Sequence, residues 1–197
     1  MNVRLADEPG IVSPKPVLNL PNLLTLSRLG LAIILFALIT YQQWWLALGV
    51  FIVAALTDWL DGYLARKQGL TSAFGRNFDP LVDKVLVGGV FIFLLPVPPA
   101  QLQPWMVTLV IARELIVTGL RSFFESQAVQ FGADMLGKIK MTLQCAAIIG
   151  IFLVLALPAD HAQIWDTIQL ALIWAMVIIT ALSGLQYVVK ALWLLKS

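Results

Sequence analysis

The sequence predicts an all-α polytopic membrane protein with six transmembrane helices. Three observations carry that prediction. Of 197 residues, 60% are hydrophobic and only 12% are charged, against about 25% charged in an ordinary soluble domain. Apolar runs of membrane-crossing length recur along nearly the whole chain. The lysines and arginines gather on one side of the serpentine those runs would make.

The first 21 residues carry Asp7, Glu8, four prolines and two cationic side chains, and they lack the apolar run of a signal peptide. They read as a cytoplasmic lead-in, residues 1–21, to a single six-helix domain, residues 22–197. The spans fall at 23–41, 44–66, 76–95, 104–124, 138–157 and 165–190. The last exceeds what about 30 Å of hydrocarbon requires, so it tilts or runs past the interface. β-Branched runs such as Val107–Ile111 would suit strands in water. In lipid, a helix satisfies every backbone group within its own segment.

The connections Tyr41–Trp45, Pro96–Gln103 and Pro158–Ile164 hold no lysine or arginine. Arg4, Lys15, Arg66, Lys67, Arg76, Lys138, Lys140, Lys190 and Lys196 all lie at or near the opposite span ends, and Arg28, Lys84, Arg113 and Arg121 lie toward that side within spans. Both termini are therefore expected in the cytoplasm. Trp44, Trp45, Trp105 and Trp165 sit at the uncharged ends, where an aromatic belt belongs. The single cysteine, Cys145, lies in an apolar run and reads as a packed small side chain; His161 reads as a surface residue in a polar connection. No nucleic-acid partner is expected.

Four aspartates interrupt this apolar chain: Asp58 and Asp61 in the closing turns of the second span, Asp79 and Asp83 in the opening turns of the third. A loop of about eight residues, Lys67 to Phe74, joins the two spans, so all four lie at one depth near the cytoplasmic face. Spacings of three and four put each pair on one helical face. Carboxylates in membrane helices are costly and usually functional. Two facing pairs suit hard divalent ions, Mg²⁺ or Mn²⁺, with phosphate oxygens and water completing the shell. The alternative is a metal-free charge network with Arg66, Arg76 or Lys84. Gly62, Ala65 and Gly75 allow close approach of helix or substrate. Pro80 stands in the first turn of its span, where its missing N–H does little harm.

The stretch Asp58-x-x-Asp61-Gly62-x-x-Ala65-Arg66, eight residues, then Gly75-x-x-x-Asp79-x-x-x-Asp83, resembles the signature of the CDP-alcohol phosphatidyltransferases at every fixed position. The six-span pattern also resembles that family. Pro21–Arg28, Asp79–Lys84, Ala112–Glu114 and Gly137–Lys140 further resemble the branch that makes phosphatidylglycerophosphate, except that Met141 stands where many relatives have threonine.

The resemblance implies a CDP-alcohol phosphatidyltransferase-like fold, a homodimer in the bacterial inner membrane and a metal-dependent transfer, with two ions. CDP-diacylglycerol would donate its phosphatidyl group to sn-glycerol 3-phosphate, giving phosphatidylglycerophosphate and CMP. Asp58, Asp61 and Asp79 would hold the metals, with Asp83 close to them and acting as general base. Asn22, Thr25, Arg28, Gly62, Ala65, Arg66 and Gly75 would line the CDP part. The acceptor's phosphate requires cations, and Arg76, Arg113, Arg121, Lys138 and Lys140 are the candidates. Competing roles are snorkelling for Arg121, topology for the two lysines, and charge balance between Glu114 and Arg113. Lys84 is open to packing, lipid headgroups or the phosphate pocket. Two other functions stay open on sequence: a relative using another alcohol, such as inositol phosphate, and a divalent-ion transporter or channel.

Overall fold

The computed structural model describes residues 20–68, 73–127 and 135–196, with the side chains at 20–25, 58–81, 83, 159–163 and 195–196 outside the description. Six helices follow in order: α1 Leu20–Thr40, α2 Trp44–Gln68, α3 Ala73–Leu94, α4 Pro104–Ser126, α5 Met135–Ala156 and α6 Ala159–Lys196. A short 3-10 turn, Pro98–Ala100, lies between α3 and α4. Each expected span coincides with one helix.

The connection between the two acid-bearing helices is shorter than the eight residues expected. α2 continues to Gln68 and α3 begins at Ala73, leaving 69–72, which lie outside the described residues. The apolar runs mark lipid contact, and a helix does not have to stop where lipid does. α6 likewise extends beyond the expected 165–190 at both ends.

Packing is led by α5 against α6, with α1 against both α2 and α3, α2 against α5, α3 against α4 and α4 against α6. The main core gathers Leu35, Phe51, Phe91, Ile148, Phe152 and Ile173 from five of the helices. Cys145 packs against this core, as expected of a small packed side chain. A second cluster, Val117, Phe124, Tyr187 and Ala191, joins α4 to the far half of α6. At Gly150 the α5 backbone meets α6 closely: a Cβ there would lie 3.3 Å from Leu172 Cδ1 and 3.8 Å from Gln169 Cα. Gln169 is fully buried, and its amide donates to the carbonyls of Pro99 and Ala100, both at 2.9 Å. α6 thereby pins the turn that leads into α4.

The outer faces are as apolar as the core. Ile33, Ile34, Leu46, Leu115, Leu185 and Trp193 are among many large hydrophobics left exposed, far beyond what a soluble monomer presents. Threonine hydroxyls on these faces turn back onto their own helices: Thr40 to Phe36 O at 2.8 Å, Thr57 to Val53 O at 2.7 Å, Thr118 to Glu114 O at 2.7 Å. That pattern suits a surface with no water to bond. Among the described residues, two helices are long and apolar enough to cross a membrane, Met135–Ala156 and Ile164–Leu194; shorter apolar stretches are Leu26–Thr40, Trp44–Thr57 and Lys84–Leu94. Six individual spans are thus not all established by length and composition. α4 carries Arg113, Glu114, Arg121 and Glu125, and the polar portions of α2 and α3 interrupt their apolar runs.

Candidate active site

The backbone carries Asp58 and Asp61 toward the C-terminal end of α2, and Asp79 and Asp83 in the N-terminal half of α3. Both helices flank α1, whose first turns bear Asn22, Thr25 and Arg28. The side chains of all four aspartates, and of Asn22, Thr25, Ala65, Arg66 and Arg76, lie outside the described residues, as do the surroundings of Gly62 and Gly75. Arg28 is described and is buried.

The cationic half of the expected site is visible in detail. Arg113 on α4 is 8% exposed and Lys140 on α5 is 3% exposed. Burying a charge without a partner costs several kcal/mol, and the structure supplies one partner to both. Glu114 Oε1 accepts a hydrogen bond from Arg113 Nη1 at 3.1 Å and another from Lys140 Nζ. The expected pairing of Glu114 with Arg113 is therefore present, and it extends to a lysine 26 residues away in sequence. Two cations against one carboxylate leave the cluster with a net positive charge.

The other two described candidates, Lys138 and Arg121, do not share this arrangement. Lys138 is exposed. Two residues along a helix is about 200° of rotation, so Lys138 and Lys140 cannot face one way. Arg121 is partly buried, and its Nε has no hydrogen-bond partner among the described residues.

A cavity of 490 Å³ adjoins the cluster. Its polar lining is Lys84, Glu114, Lys140 and Gln144, and its walls include Phe36, Ile111 and Met141. Lys84 directly follows Asp83 in the chain, so one cavity runs from a neighbour of the acidic motif to Glu114 and Lys140, with Arg113 behind Glu114 and outside the lining. Gln144, one turn beyond Lys140, is fully buried. Ser183 and Tyr187 are polar groups that the sequence did not single out. Ser183 Oγ accepts from Arg113 Nη2, and the Tyr187 ring centroid lies 5.4 Å from the guanidinium carbon. The signal available was a Ser and a Tyr four apart within an apolar helix, which places both on one face.

Comparison with known proteins identifies the family. The model of the CDP-alcohol phosphatidyltransferase family matches residues 18–190. A CDP-diacylglycerol–glycerol-3-phosphate 3-phosphatidyltransferase of Bacillus subtilis is 37% identical over 187 residues, covering 87% of this chain and 94% of the relative. Proteins of the same name are 37% identical in Rickettsia bellii, covering 86% and 93%, and 33% identical in Cereibacter sphaeroides, covering 90% and 97%. With a match that takes in five helices and most of the sixth, and an exterior suited to lipid, the chain is an integral membrane protein that belongs to the CDP-alcohol phosphatidyltransferase family.

Proposed function

We propose that this protein transfers the phosphatidyl group of CDP-diacylglycerol to sn-glycerol 3-phosphate, giving phosphatidylglycerophosphate and CMP. The structural observation that carries the choice of acceptor is the buried cluster of Arg113 and Lys140 on Glu114, bordering a cavity that reaches Lys84 beside Asp83. A net positive, largely desolvated site suits an acceptor that brings its own phosphate and does not suit serine. The similarity to relatives of that named activity over most of both chains supports the same reading.

The roles follow the chemistry of each group. Asn22, Thr25, Arg28, Gly62, Ala65, Arg66 and Gly75 hold the CDP portion while the acyl chains stay in lipid. Arg113 and Lys140 bind the acceptor's phosphate, with Arg76 and Arg121 adding positive charge around it, while Lys138, turned away from Lys140, serves topology at the interface. Asp83 takes the proton from the acceptor hydroxyl. The hydroxyl oxygen forms its bond to the phosphorus next to diacylglycerol, and the bond from that phosphorus to CMP breaks. Asp58, Asp61 and Asp79, with Asp83, offer only carboxylate oxygens, a donor set that fits Mg²⁺ or Mn²⁺. Two such ions, when bound, neutralise charge on the pyrophosphate and the departing CMP.

Six spans, cytoplasmic termini and a cytoplasm-facing site follow from the charge asymmetry of the sequence. A homodimer in a bacterial inner membrane completes the proposal. The test is CMP release by purified protein in detergent, with labelled CDP-diacylglycerol and a panel of glycerol 3-phosphate, inositol phosphate and serine. Release with glycerol 3-phosphate is expected. Release with inositol phosphate alone would overturn the choice of acceptor, and no release with any would overturn the enzyme reading.

A further inference from the structure

The Arg113 side chain leaves α4 and is gripped by α6. Its Nη2 donates to Ser183 Oγ, and the Tyr187 ring lies under its guanidinium. Ser183 and Tyr187 are 0% and 1% exposed. Between them stands Gly184, where a Cβ would come within 3.1 Å of Arg113 Cγ and 3.8 Å of Arg113 Cβ. On α5, a Cβ at Gly137 would sit 3.8 Å from the Tyr187 hydroxyl and 3.9 Å from Arg113 Nη2. The guanidinium thus occupies a slot with an acceptor at one edge, an aromatic face beneath and two glycines where its stem and tip pass.

A guanidinium has five N–H donors. Glu114 and Ser183 take one each from Nη1 and Nη2, and Nε has no partner among the described residues. Among the described residues three of those donors have no partner, the buried Nε being one of them, on a group whose plane and position are fixed. Phosphate is best bound by such a fork, two parallel N–H groups at once. The long α6 packs along α4 through Val117, Phe124, Tyr187 and Ala191, so the slot is built into a helix–helix contact.

We infer that α6 is the positioning element of the acceptor site, with Ser183 and Tyr187 as positioning residues that fix the Arg113 guanidinium for the acceptor's phosphate. This inference rests on the reading that Arg113 binds the phosphate of glycerol 3-phosphate. Ser183 and Tyr187 touch the arginine and not the substrate, so their loss acts on acceptor affinity and leaves donor affinity unchanged. A role confined to holding helices together would lower stability and active fraction without moving one Michaelis constant.

The experiment is steady-state kinetics on purified full-length variants, varying glycerol 3-phosphate and CDP-diacylglycerol separately, with a detergent melting curve for each. Arg113→Lys is the test of the underlying reading. It should raise KM for glycerol 3-phosphate at least tenfold, on the order of a lost charged hydrogen bond, and an unchanged KM would defeat the role of Arg113 itself. Given that rise, Ser183→Ala should raise the same KM about tenfold, keep KM for CDP-diacylglycerol within about twofold, and add little in the Arg113→Lys background. Ser183→Thr should recover most of the loss. Tyr187→Phe, which keeps the ring, should stay near the parent, whereas Tyr187→Leu should match Ser183→Ala. Gly184→Ala should give the same phenotype while removing no polar group. If Arg113→Lys raises KM for the acceptor and Ser183→Ala does not, or if their effects multiply in full, the inference is overturned. Should Ser183→Ala not fold, equal acceptor KM values for Tyr187→Phe and Tyr187→Leu overturn it equally.

Discussion

Replacing Glu114 by glutamine removes the one carboxylate among the described residues that Arg113 and Lys140 both contact, while keeping its size and an oxygen able to accept a hydrogen bond. At 3.1 Å and an effective dielectric of about 20, the Arg113 attraction alone is worth about 5 kcal/mol before desolvation is subtracted. Lys140 adds a second attraction, and Glu114, at 19% side-chain exposure, is shielded enough from water to keep most of both. Leaving buried cations without their partner costs about 3–5 kcal/mol. For a chain of this size, about 2–4 °C per kcal/mol turns that into a fall in melting temperature of roughly 6–20 °C.

The same charge argument gives a second, sharper readout. Among the described residues, one carboxylate offsets two cations in the parent, and the variant lacks it. Glycerol 3-phosphate carries the missing negative charge, so a saturating amount should raise the melting temperature of the variant more than that of the parent. The assay is thermal unfolding in detergent with and without glycerol 3-phosphate, with Glu125→Gln as the control. Glu125 is exposed on the same helix, and its change should be worth less than about 0.5 kcal/mol. A Glu114→Gln shift under about 2 °C, or equal stabilisation of parent and variant by the acceptor, would refute the electrostatic account.

Three further predictions address other parts of the molecule. Gly89→Ala drives a methyl into the Phe36 ring, which is already stacked on Phe93 at 4.8 Å, and should cost about 1–3 kcal/mol by overpacking; Gly49→Ala, with nothing within 4 Å, should be neutral or stabilising by up to about 1 kcal/mol, and equal melting curves for the two would contradict this. Gln169→Leu strips the carbonyls of Pro99 and Ala100 of their donor and should cost about 1–3 kcal/mol, so an unshifted melting temperature would remove α6 as the pin of that turn. Asp61→Asn and Asp79→Asn should each abolish CMP release, and chelation should do so reversibly, with Mg²⁺ or Mn²⁺ restoring it; turnover that survives thorough chelation would exclude the metal-bound carboxylates.

All six helices were legible as apolar runs, since an apolar run that meets lipid satisfies its backbone by being helical, although only two of them among the described residues are long and apolar enough to cross a membrane. Their ends were less legible. α2 passes through Arg66, Lys67 and Gln68, and α3 starts at Ala73, because polar helix formers can extend a helix beyond the lipid that the apolar run records. The acidic motif was legible from fixed spacing, which needs no knowledge of what packs against it. The cation cluster was half legible. Arg113 and Lys140 could be named from the sequence, but the helical period alone should have separated Lys138 from Lys140. Ser183 and Tyr187 could not be assigned to Arg113, because a contact across 70 residues leaves no mark on local pattern.

The balance of charge explains why such a site tolerates its own burial. Arg113 and Lys140 without a carboxylate would repel each other in a medium that screens poorly, and the fold would bear that cost whenever substrate was absent. Two carboxylates would remove the cost and also the attraction for phosphate. One shared carboxylate holds the cations in place while preserving a net positive charge for an anion. Ser183 and Tyr187 satisfy Arg113 further without adding negative charge, since a hydroxyl dipole and a ring face leave its formal charge intact. The identity of the groups around Arg113 is therefore as informative as the arginine itself. A purely structural arginine would be fully neutralised and fully bonded, whereas this one, among the described residues, is fixed in place with a surplus of charge and unpartnered donors.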